Sequence, residues 1–162
     1  MKELERVVGV GEFIISNNIE DVLKIYGLSS CIGLVVYCPS IKVLAVGHFL
    51  LPSSEINPDL GKISPAYFVD TGFVHIINTV CRDYNCNKED IVVCFYGGAQ
   101  ARVENDVFNI GQRNINAIKQ KLKEFKIKPK HEDVGGNASR TLKVCVKSGK
   151  VKLKIQQPLV FA

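Results

Sequence analysis

The sequence predicts an α/β fold in which mixed β-sheets pack as a sandwich and the helices lie outside. Short, apolar, β-branched segments outnumber the helical segments, and turn residues separate two pairs of them as in hairpins. A doubly wound parallel sheet would not contain such hairpins. With 162 residues and 46% hydrophobic content, the chain is expected to bury one core. Residues 1–162 are therefore predicted to form a single domain.

The first strands lie in the N-terminal third of the chain. Residues 7–15 and 22–26 are short, rich in β-branched side chains and interrupted by glycine or asparagine, which predicts strands. Residues 32–37 and 43–51 are the most apolar segments, and Pro39 marks a turn between them. These two segments are predicted to form a hairpin of buried strands.

The first helix is predicted to follow a loop. Residues 52–62 contain proline, serine, asparagine, aspartate and glycine, which is typical of a loop. Ser64 is a good N-cap, and Pro65 suits the first helical position. The helix should run to residues 85–88, because apolar residues recur at the spacing of one buried stripe: Val69, Phe73, Ile76 and Val80.

The C-terminal half predicts another strand, a second helix and a hairpin. Residues 91–96 form an apolar run that Gly97 and Gly98 close. An amphipathic helix is predicted from near Asn109, with an apolar stripe formed by Ile115, Ile118, Leu122 and Phe125. A hairpin with one solvated face is predicted around Ser148-Gly149, where polar residues alternate with Leu142, Val144, Val146, Val151, Leu153 and Ile155.

Composition excludes several classes of protein. No run approaches the ~18 consecutive apolar residues of a membrane span, and the polar start of the chain is unlike a signal peptide, so we expect a cytoplasmic protein. The six cysteines lie in apolar or helical stretches rather than in a loop-rich framework, which predicts reduced thiols. The net charge of +5, with its excess after residue 112, favours an acidic partner surface.

Cys31 is the first candidate for chemistry. Small, flexible residues from Gly27 to Ser30 end one strand and place the thiol of Cys31 at the entry to the next. Such a turn exposes a side chain and leaves backbone N–H groups unpaired around it, as an oxyanion requires. The functional interpretation is a nucleophilic cysteine, and the alternative is a buried cysteine that opens a core strand.

His48 is the candidate partner of Cys31. It follows Cys31 by seventeen positions, so antiparallel pairing across the hairpin could bring its imidazole beside the thiol. A histidine in an apolar strand is usually a satisfied core residue, but its ring must find a partner, and Gly47 leaves space beside it. Because a free thiol has a pKa of about 8.5, His48 is predicted to lower that pKa and later to protonate a departing amine.

Other residues with chemical potential form weaker patterns. Four residues have side chains that can bind metals: His75, Cys81, Cys86 and Cys94. They lack the paired spacing of a metal site, so no metal or cofactor is predicted. The glycine pairs Gly97-Gly98 and Gly135-Gly136 lack the phosphate-binding patterns, and tight turns or close backbone approach explain them better. The lysines of residues 119–130 predict a solvated helix face, with nucleic-acid binding a minor hypothesis.

Five short motifs occur in order along nearly the whole chain. They are Gly27-Leu28-Ser29-Ser30-Cys31, Gly47-His48-Phe49-Leu50-Leu51-Pro52, Gly97-Gly98-Ala99, Asn109-Ile110-Gly111-Gln112-Arg113-Asn114 and Glu132-Asp133-Val134-Gly135-Gly136-Asn137. Together they resemble the chemoreceptor glutamine deamidase family CheD. The resemblance implies a fold akin to bacterial toxin deamidases. It also implies hydrolysis of glutamine side chains on the cytoplasmic helices of chemoreceptors, through Cys31 and His48, and binding to a CheC-type phosphatase.

The sequence departs from the family at two positions. A threonine that helps to orient the histidine ordinarily stands six residues before the cysteine, and here that residue is Ile25. A backbone carbonyl, Ser29 or Ser30 would then hold His48, or the enzyme would work as a dyad. Ser29 stands where the family often has glycine. Site-shaping and oxyanion roles are predicted for the small residues of this turn, Ser30, Ser29 and Gly27.

Two other functions are compatible with these residues. The chain could be a binding module that regulates CheC and the receptors with little or no catalysis, because Ile25 stands in place of the orienting threonine. It could also be a receptor methylesterase, because a methyl ester differs from the amide only in its leaving group.

Overall fold

A computed structural model describes residues 2–100 and 108–157. Its strands are β1 (Leu4–Val7), β2 (Phe13–Ser16), β3 (Asp21–Leu28), β4 (Ile32–Cys38), β5 (Val43–Phe49), β6 (Val92–Gly97), β7 (His131–Val134), β8 (Ser139–Cys145) and β9 (Val151–Gln156). Its helices are α1 (Pro58–Ile63), α2 (Val69–Asp83) and α3 (Ile110–Glu124). Short 3-10 turns cover Ser54–Ile56, Pro65–Tyr67 and Lys88–Asp90.

The strands form two mixed sheets. The first has the order β1-β3-β8-β9, with β1 parallel to β3 and the other pairs antiparallel. The second has the order β2-β5-β4-β6-β7, with β6 parallel to β7 and the other pairs antiparallel. The predicted mixed α/β architecture is confirmed at this level.

The hairpin of β4 and β5 is the centre of the structure. Every residue of both strands is buried. One face packs with apolar residues of α2 and α3, and the other packs with apolar residues of the first sheet. Burial on both faces explains why these strands are continuous apolar runs without alternation. The predicted pairing is confirmed, with Ile32 opposite Phe49.

The predicted strand over residues 7–15 is wrong, because the chain changes sheets within it. β1 ends at Val7 in the first sheet, and β2 begins at Phe13 in the second. Between them the Glu12 N–H donates to the Gly9 carbonyl at 3.0 Å, which closes a tight turn. Gly11 within this turn has a φ of +76°, a conformation that glycine adopts without steric cost.

The region before α2 also differs from its prediction. Residues 58–62 were expected in a loop but belong to α1, whose N-cap Asn57 accepts a hydrogen bond from the Leu60 N–H. The segment after Ser64 begins with the 3-10 turn Pro65–Tyr67, so the α-helix starts only at Val69. The capping residues Asn57 and Ser64 begin two short helical segments, and the long helix α2 follows them.

The expectation of six reduced thiols is wrong for one pair. Cys38 and Cys86 form a disulfide across 48 positions of sequence, whereas Cys31, Cys81, Cys94 and Cys145 are free. Cys38 ends β4 and Cys86 follows α2, and both side chains belong to the core beneath the helices. An apolar sequence context is the same for paired and unpaired cysteines, so only the tertiary fold reveals this pair.

None of the helices in the two described ranges is long and apolar enough to cross a membrane.

Reduction of the Cys38–Cys86 disulfide should destabilise the protein. A cross-link over a loop of this length typically contributes about 2–4 kcal/mol, so we expect the Cys86→Ser variant to melt roughly 5–15 °C below the wild type. The matched control is Cys81→Ser, which removes a free thiol on the neighbouring helix. Calorimetry gives the melting temperatures. Equal melting temperatures of Cys86→Ser and wild type would contradict the disulfide.

Candidate active site

Cys31 lies in a bend that carries the chain from the first sheet to the second. β3 ends at Leu28 after a bulge that contains Gly27, and β4 begins at Ile32. Ser29 in this bend is exposed and Ser30 is half-buried. Cys31 itself is only 8% exposed, and its side chain belongs to the apolar cluster between the sheets. The short connection therefore brings the thiol to the boundary of the two sheets.

The end of β6 holds this bend from the side. The Ala99 N–H donates to the Ser29 carbonyl at 2.8 Å, and the Gly98 N–H donates to the Cys31 carbonyl at 2.9 Å. Gly97 has a φ of +110°, and a Cβ at this position would overlap the Cys31 carbonyl oxygen. The glycine pair thus serves close backbone approach, which the sequence had favoured over phosphate binding.

Two backbone N–H groups of the bend lie next to the thiol without a carbonyl partner. Those of Ser30 and Cys31 donate to no carbonyl oxygen among the described residues. Two adjacent N–H groups beside a thiol form the arrangement that stabilises an oxyanion in acyl transfer. The bend therefore places a thiol and two backbone donors side by side.

His48 lies on the same face of the second sheet as Cys31. Its register partner on β4 is Gly33, two residues after Cys31, and residues two apart in a strand share a face. The packing agrees, because Ile32 and Phe49 point into the cluster beneath the helices while Cys31 points between the sheets. The antiparallel register thus makes the thiol and the imidazole diagonal neighbours.

The ring of His48 is held by a backbone carbonyl. Its Nδ1 lies 3.1 Å from the carbonyl oxygen of Val8, and this contact is buried. Because a carbonyl oxygen only accepts, Nδ1 donates, and Nε2 of the neutral ring keeps its lone pair. The Val8 N–H in turn donates to the Lys24 carbonyl of β3 at 2.8 Å, which fixes Val8 to the first sheet.

A β-bulge fixes the backbone of His48. The Gly11 N–H donates to the His48 carbonyl at 2.8 Å, and the His48 N–H donates to the Glu12 carbonyl at 3.0 Å. Two residues of one strand therefore face one residue of the other, with glycine first, as in bulges that redirect a side chain. The turn that carries Val8 thus orients both the backbone and the ring of His48.

Ile25, at the position of the family's threonine, has no polar contact to offer. It is fully buried, and its Cδ1 lies 3.2 Å from the position that a Cβ on Gly33 would occupy. It therefore packs over the residue opposite His48 as part of an apolar wall. Among the alternatives considered from sequence, the structure favours a backbone carbonyl, that of Val8, over Ser29 and Ser30. A backbone acceptor leaves no side-chain signal in the sequence.

Burial dominates the electrostatics of the pair. It raises the pKa of the Cys31 thiol to about 11, because a thiolate is poorly solvated there. It also lowers the pKa of His48 below 6.5, partly opposed by the Val8 carbonyl and the charge of Glu12. The hydrogen bonds of residues 2–100 and 108–157 include none between the Cys31 sulfur and the imidazole. In this geometry burial favours the neutral form of both groups, so the lowering of the thiol pKa by His48 stays a prediction.

One further residue at the site carried no assigned role in the sequence. Asn114 of α3 donates from its side-chain nitrogen to the Ser30 carbonyl at 2.9 Å and to the Leu50 carbonyl at 3.0 Å. It belongs to one of the five motifs, but an asparagine in an amphipathic helix does not reveal which backbone it will reach. Its contacts follow from the way α3 packs under β4 and β5.

The residues considered as metal ligands are dispersed. Cys86 is in the disulfide, and the His75 ring packs edge-on against Phe13 with centroids 5.1 Å apart. Within the part of the chain that the structure describes, no three histidine, cysteine, aspartate or glutamate side chains converge as a metal site would require.

Comparisons with known proteins give a consistent result. Residues 50–155 match the family model described as CheD chemotactic sensory transduction. A protein of Syntrophus aciditrophicus named "Probable chemoreceptor glutamine deamidase CheD 1" is 34% identical over 148 residues, which cover 91% of this chain and 92% of the relative. The "Chemoreceptor glutamine deamidase CheD" of Thermotoga maritima is 31% identical over 151 residues, which cover 93% of this chain and 92% of the relative.

The matches differ in the part of the chain they include. The family model begins after His48, whereas matches that cover 91% and 93% of the chain extend across β4 and β5.

One solved structure, that of hypothetical protein YfiH from Bacillus licheniformis, is 11% identical, with a TM-score of 0.47 and coverage of 82% of this chain and 59% of that chain.

The tautomer and pKa of His48 can be measured directly. We expect ¹⁵N NMR of the imidazole to show a protonated Nδ1 and a bare Nε2 at neutral pH, because the Val8 carbonyl can only accept. The ring should titrate below the ordinary value of 6.5, because burial disfavours the imidazolium. His75, on the outer part of α2, is the internal control. A protonated Nε2, or a His48 pKa above that of a free histidine, would contradict the geometry.

Proposed function

This chain belongs to the CheD family, and from that premise we propose that it is a chemoreceptor glutamine deamidase. It hydrolyses glutamine side chains of receptor cytoplasmic helices to glutamate and releases ammonia. The names of its relatives supply the substrate class. The chain itself supplies a thiol, an imidazole on the same sheet face, and two backbone N–H groups in the bend that carries the thiol.

The observation that carries the proposal is the diagonal placement of Cys31 and His48, with the bare Nε2 of His48 as the available base. Cys31 is the nucleophile, and His48 is the general base and later the general acid. Because both groups are neutral at rest, His48 removes the thiol proton as the sulfur attacks, instead of holding a preformed thiolate. This assignment reconciles a raised thiol pKa with nucleophilic chemistry.

The reaction proceeds in two balanced steps. Sulfur of Cys31 bonds to the carboxamide carbon while its proton passes to His48 Nε2, and the N–H groups of Ser30 and Cys31 hold the oxyanion. The imidazolium then gives the proton to the departing nitrogen, so that the C–N bond breaks, ammonia leaves and a thioester remains. Water next attacks the thioester with His48 as base, which yields glutamate and restores the thiol.

The neighbouring residues have supporting roles in this proposal. Gly27 bends the end of β3 so that the chain can turn toward β4. Ser29 is exposed at the mouth of the bend, where a substrate side chain would enter, and its carbonyl is anchored by Ala99. Ser30 contributes its backbone N–H. The Val8 carbonyl takes the orienting role that a threonine has elsewhere in the family.

The same proposal covers the arrangement of the sheets, the partners and the location of the protein. We propose that residues 1–162 form one domain, a two-sheet sandwich with helices outside, akin to bacterial toxin deamidases. The partners are receptor helices and a CheC-type phosphatase, and the net charge of +5 suits acidic surfaces. The location is cytoplasmic. Cytoplasmic reductants keep most thiols reduced, so the Cys38–Cys86 disulfide is the feature of this structure that is least typical of a cytoplasmic protein.

Removal of the nucleophile should abolish the reaction. We expect Cys31→Ala to lose ammonia release from a receptor fragment, and His48→Ala to lose about 10²–10⁴ in rate, because each carries a chemical step. Intact-mass measurement of the fragment detects the gain of about one dalton per converted amide. Cys94→Ala is the matched control, since Cys94 is a second free, buried cysteine in the same apolar cluster.

Three outcomes would redirect the assignment. Deamidation by Cys31→Ala at the wild-type rate would remove the nucleophile, and a wild type that binds receptor or CheC without converting any amide would be a binding module. Methanol release from methylated receptor in preference to ammonia would identify a methylesterase. Both products are measured from one receptor preparation.

The pH profile should distinguish a neutral pair from an ion pair. Since the pKa of His48 is lowered from 6.5, the base is present above that pKa, and kcat/KM should fall as the pH drops through it. Since the pKa of Cys31 is about 11, the thiol keeps its proton at higher pH. We therefore expect a plateau from roughly pH 7 to 10. A loss of activity between about pH 7.5 and 9.5 would indicate a thiolate–imidazolium pair instead.

A further inference from the structure

Asn114 is a buried polar side chain that contacts the backbone close to both proposed catalytic residues. It lies on α3 and is 0% exposed. Its Nδ2 donates to the Ser30 carbonyl at 2.9 Å and to the Leu50 carbonyl at 3.0 Å. Ser30 directly precedes Cys31, and Leu50 follows His48 by two residues. One nitrogen therefore joins the ends of the two segments that carry the thiol and the imidazole.

These two carbonyls lie beyond the last paired residues of the hairpin. The ladder between β4 and β5 ends at Ile32 opposite Phe49. Past this pair, no ladder hydrogen bond sets the separation of the two chains. The side chain of Asn114 spans that gap, and both of its amide hydrogens are used in doing so.

The contact with Ser30 also orients a proposed oxyanion donor. The Ser30 carbonyl and the Cys31 N–H belong to one planar trans peptide unit, so they point in opposite directions. Asn114 draws the carbonyl toward α3, on the helix side of the sheet. The Cys31 N–H is thereby directed to the opposite side, where the thiol faces the first sheet.

The stability of the core does not explain this asparagine. Its Oδ1 is buried and has no hydrogen-bond partner in the described part of the chain, which costs free energy. Its buried neighbours on α3 are apolar, among them Ile115, Ile118 and Leu122. A residue that leaves one polar atom unsatisfied in such surroundings is better explained by what its other polar atom does.

We propose that Asn114 is a positioning residue for deamidation, which sets the separation of Cys31 from His48 and the direction of the Cys31 N–H. It acts through the carbonyls of Ser30 and Leu50 and does not touch the substrate. The inference rests on the proposed function and extends it from the sheet to the helix beneath.

The test compares Asn114→Ala and Asn114→Asp with Ile118→Ala. The aspartate keeps the shape but lacks the two donor hydrogens, and Ile118 is an equally buried residue of α3 whose apolar side chain can form no hydrogen bond to the bend. With the folded fraction measured by circular dichroism, both Asn114 variants should lose about 10²-fold in kcat with little change in KM, as for a lost oxyanion donor. Ile118→Ala should keep the wild-type kcat. Full activity in either Asn114 variant, or an equal loss in Ile118→Ala, would overturn the proposal.

A second readout separates this inference from the proposed function. Alkylation of Cys31 by iodoacetamide at one fixed pH should change in rate in the Asn114 variants and not in Ile118→Ala. If the wild type deamidates nothing while this difference persists, the proposed function fails and the positioning role stands. If the alkylation rate is the same in all variants, the positioning role fails.

Wild-type protein provides the test if the Asn114 variants do not fold. The two side-chain amide protons of Asn114 should exchange slowly with solvent and should shift in NMR spectra when Cys31 is carbamidomethylated. Rapid exchange, or spectra that do not change on alkylation, would overturn the proposal.

Discussion

The hydrogen bond between the His48 ring and the Val8 carbonyl is the interaction on which the site depends. His48 stands in a strand whose every residue is buried, so an unpartnered ring would cost about 1–3 kcal/mol. The partner comes from the first sheet, because Val8 is bonded to β3. One contact therefore satisfies the ring, selects its tautomer and links the two sheets beside the thiol. The turn over residues 8–12 brings the Val8 carbonyl to the ring, and its Gly11 forms the bulge opposite His48.

Burial and chemistry act in opposite directions at this site. Removing water from Cys31 and His48 disfavours both charged forms, so the resting pair is a thiol and an imidazole. The same dry surroundings strengthen hydrogen bonds from backbone N–H groups to a developing oxyanion. In the proposed mechanism, fixed backbone donors and a fixed imidazole therefore contribute more than a preformed thiolate does. Three hydrogen bonds hold the bend, from the N–H groups of Ala99 and Gly98 and from the side chain of Asn114, and the Val8 carbonyl holds the ring of His48.

The sequence predicted the parts of the structure that depend on local pattern. Two apolar runs around Pro39 were enough to predict the hairpin, and its antiparallel pairing brought Cys31 and His48 to one face. The break between β1 and β2 was missed because both halves are β-branched and only the sheet they join differs. β7 was missed because His131–Val134 is mostly polar, and the Cys38–Cys86 pair because its partners meet only after folding. The Val8 carbonyl has no side-chain signature at all.

In the proposed mechanism Cys31 forms the acyl intermediate with His48 as its base. Rapid mixing of the protein with a receptor peptide, an acid quench and intact-mass analysis tests it most directly. We expect the wild type to show, at early times, an adduct equal to the peptide less ammonia, which proteolysis maps to Cys31, and we expect His48→Ala to form this adduct far more slowly. An adduct on Cys81, Cys94 or Cys145, or an equally fast adduct in His48→Ala, would contradict these roles.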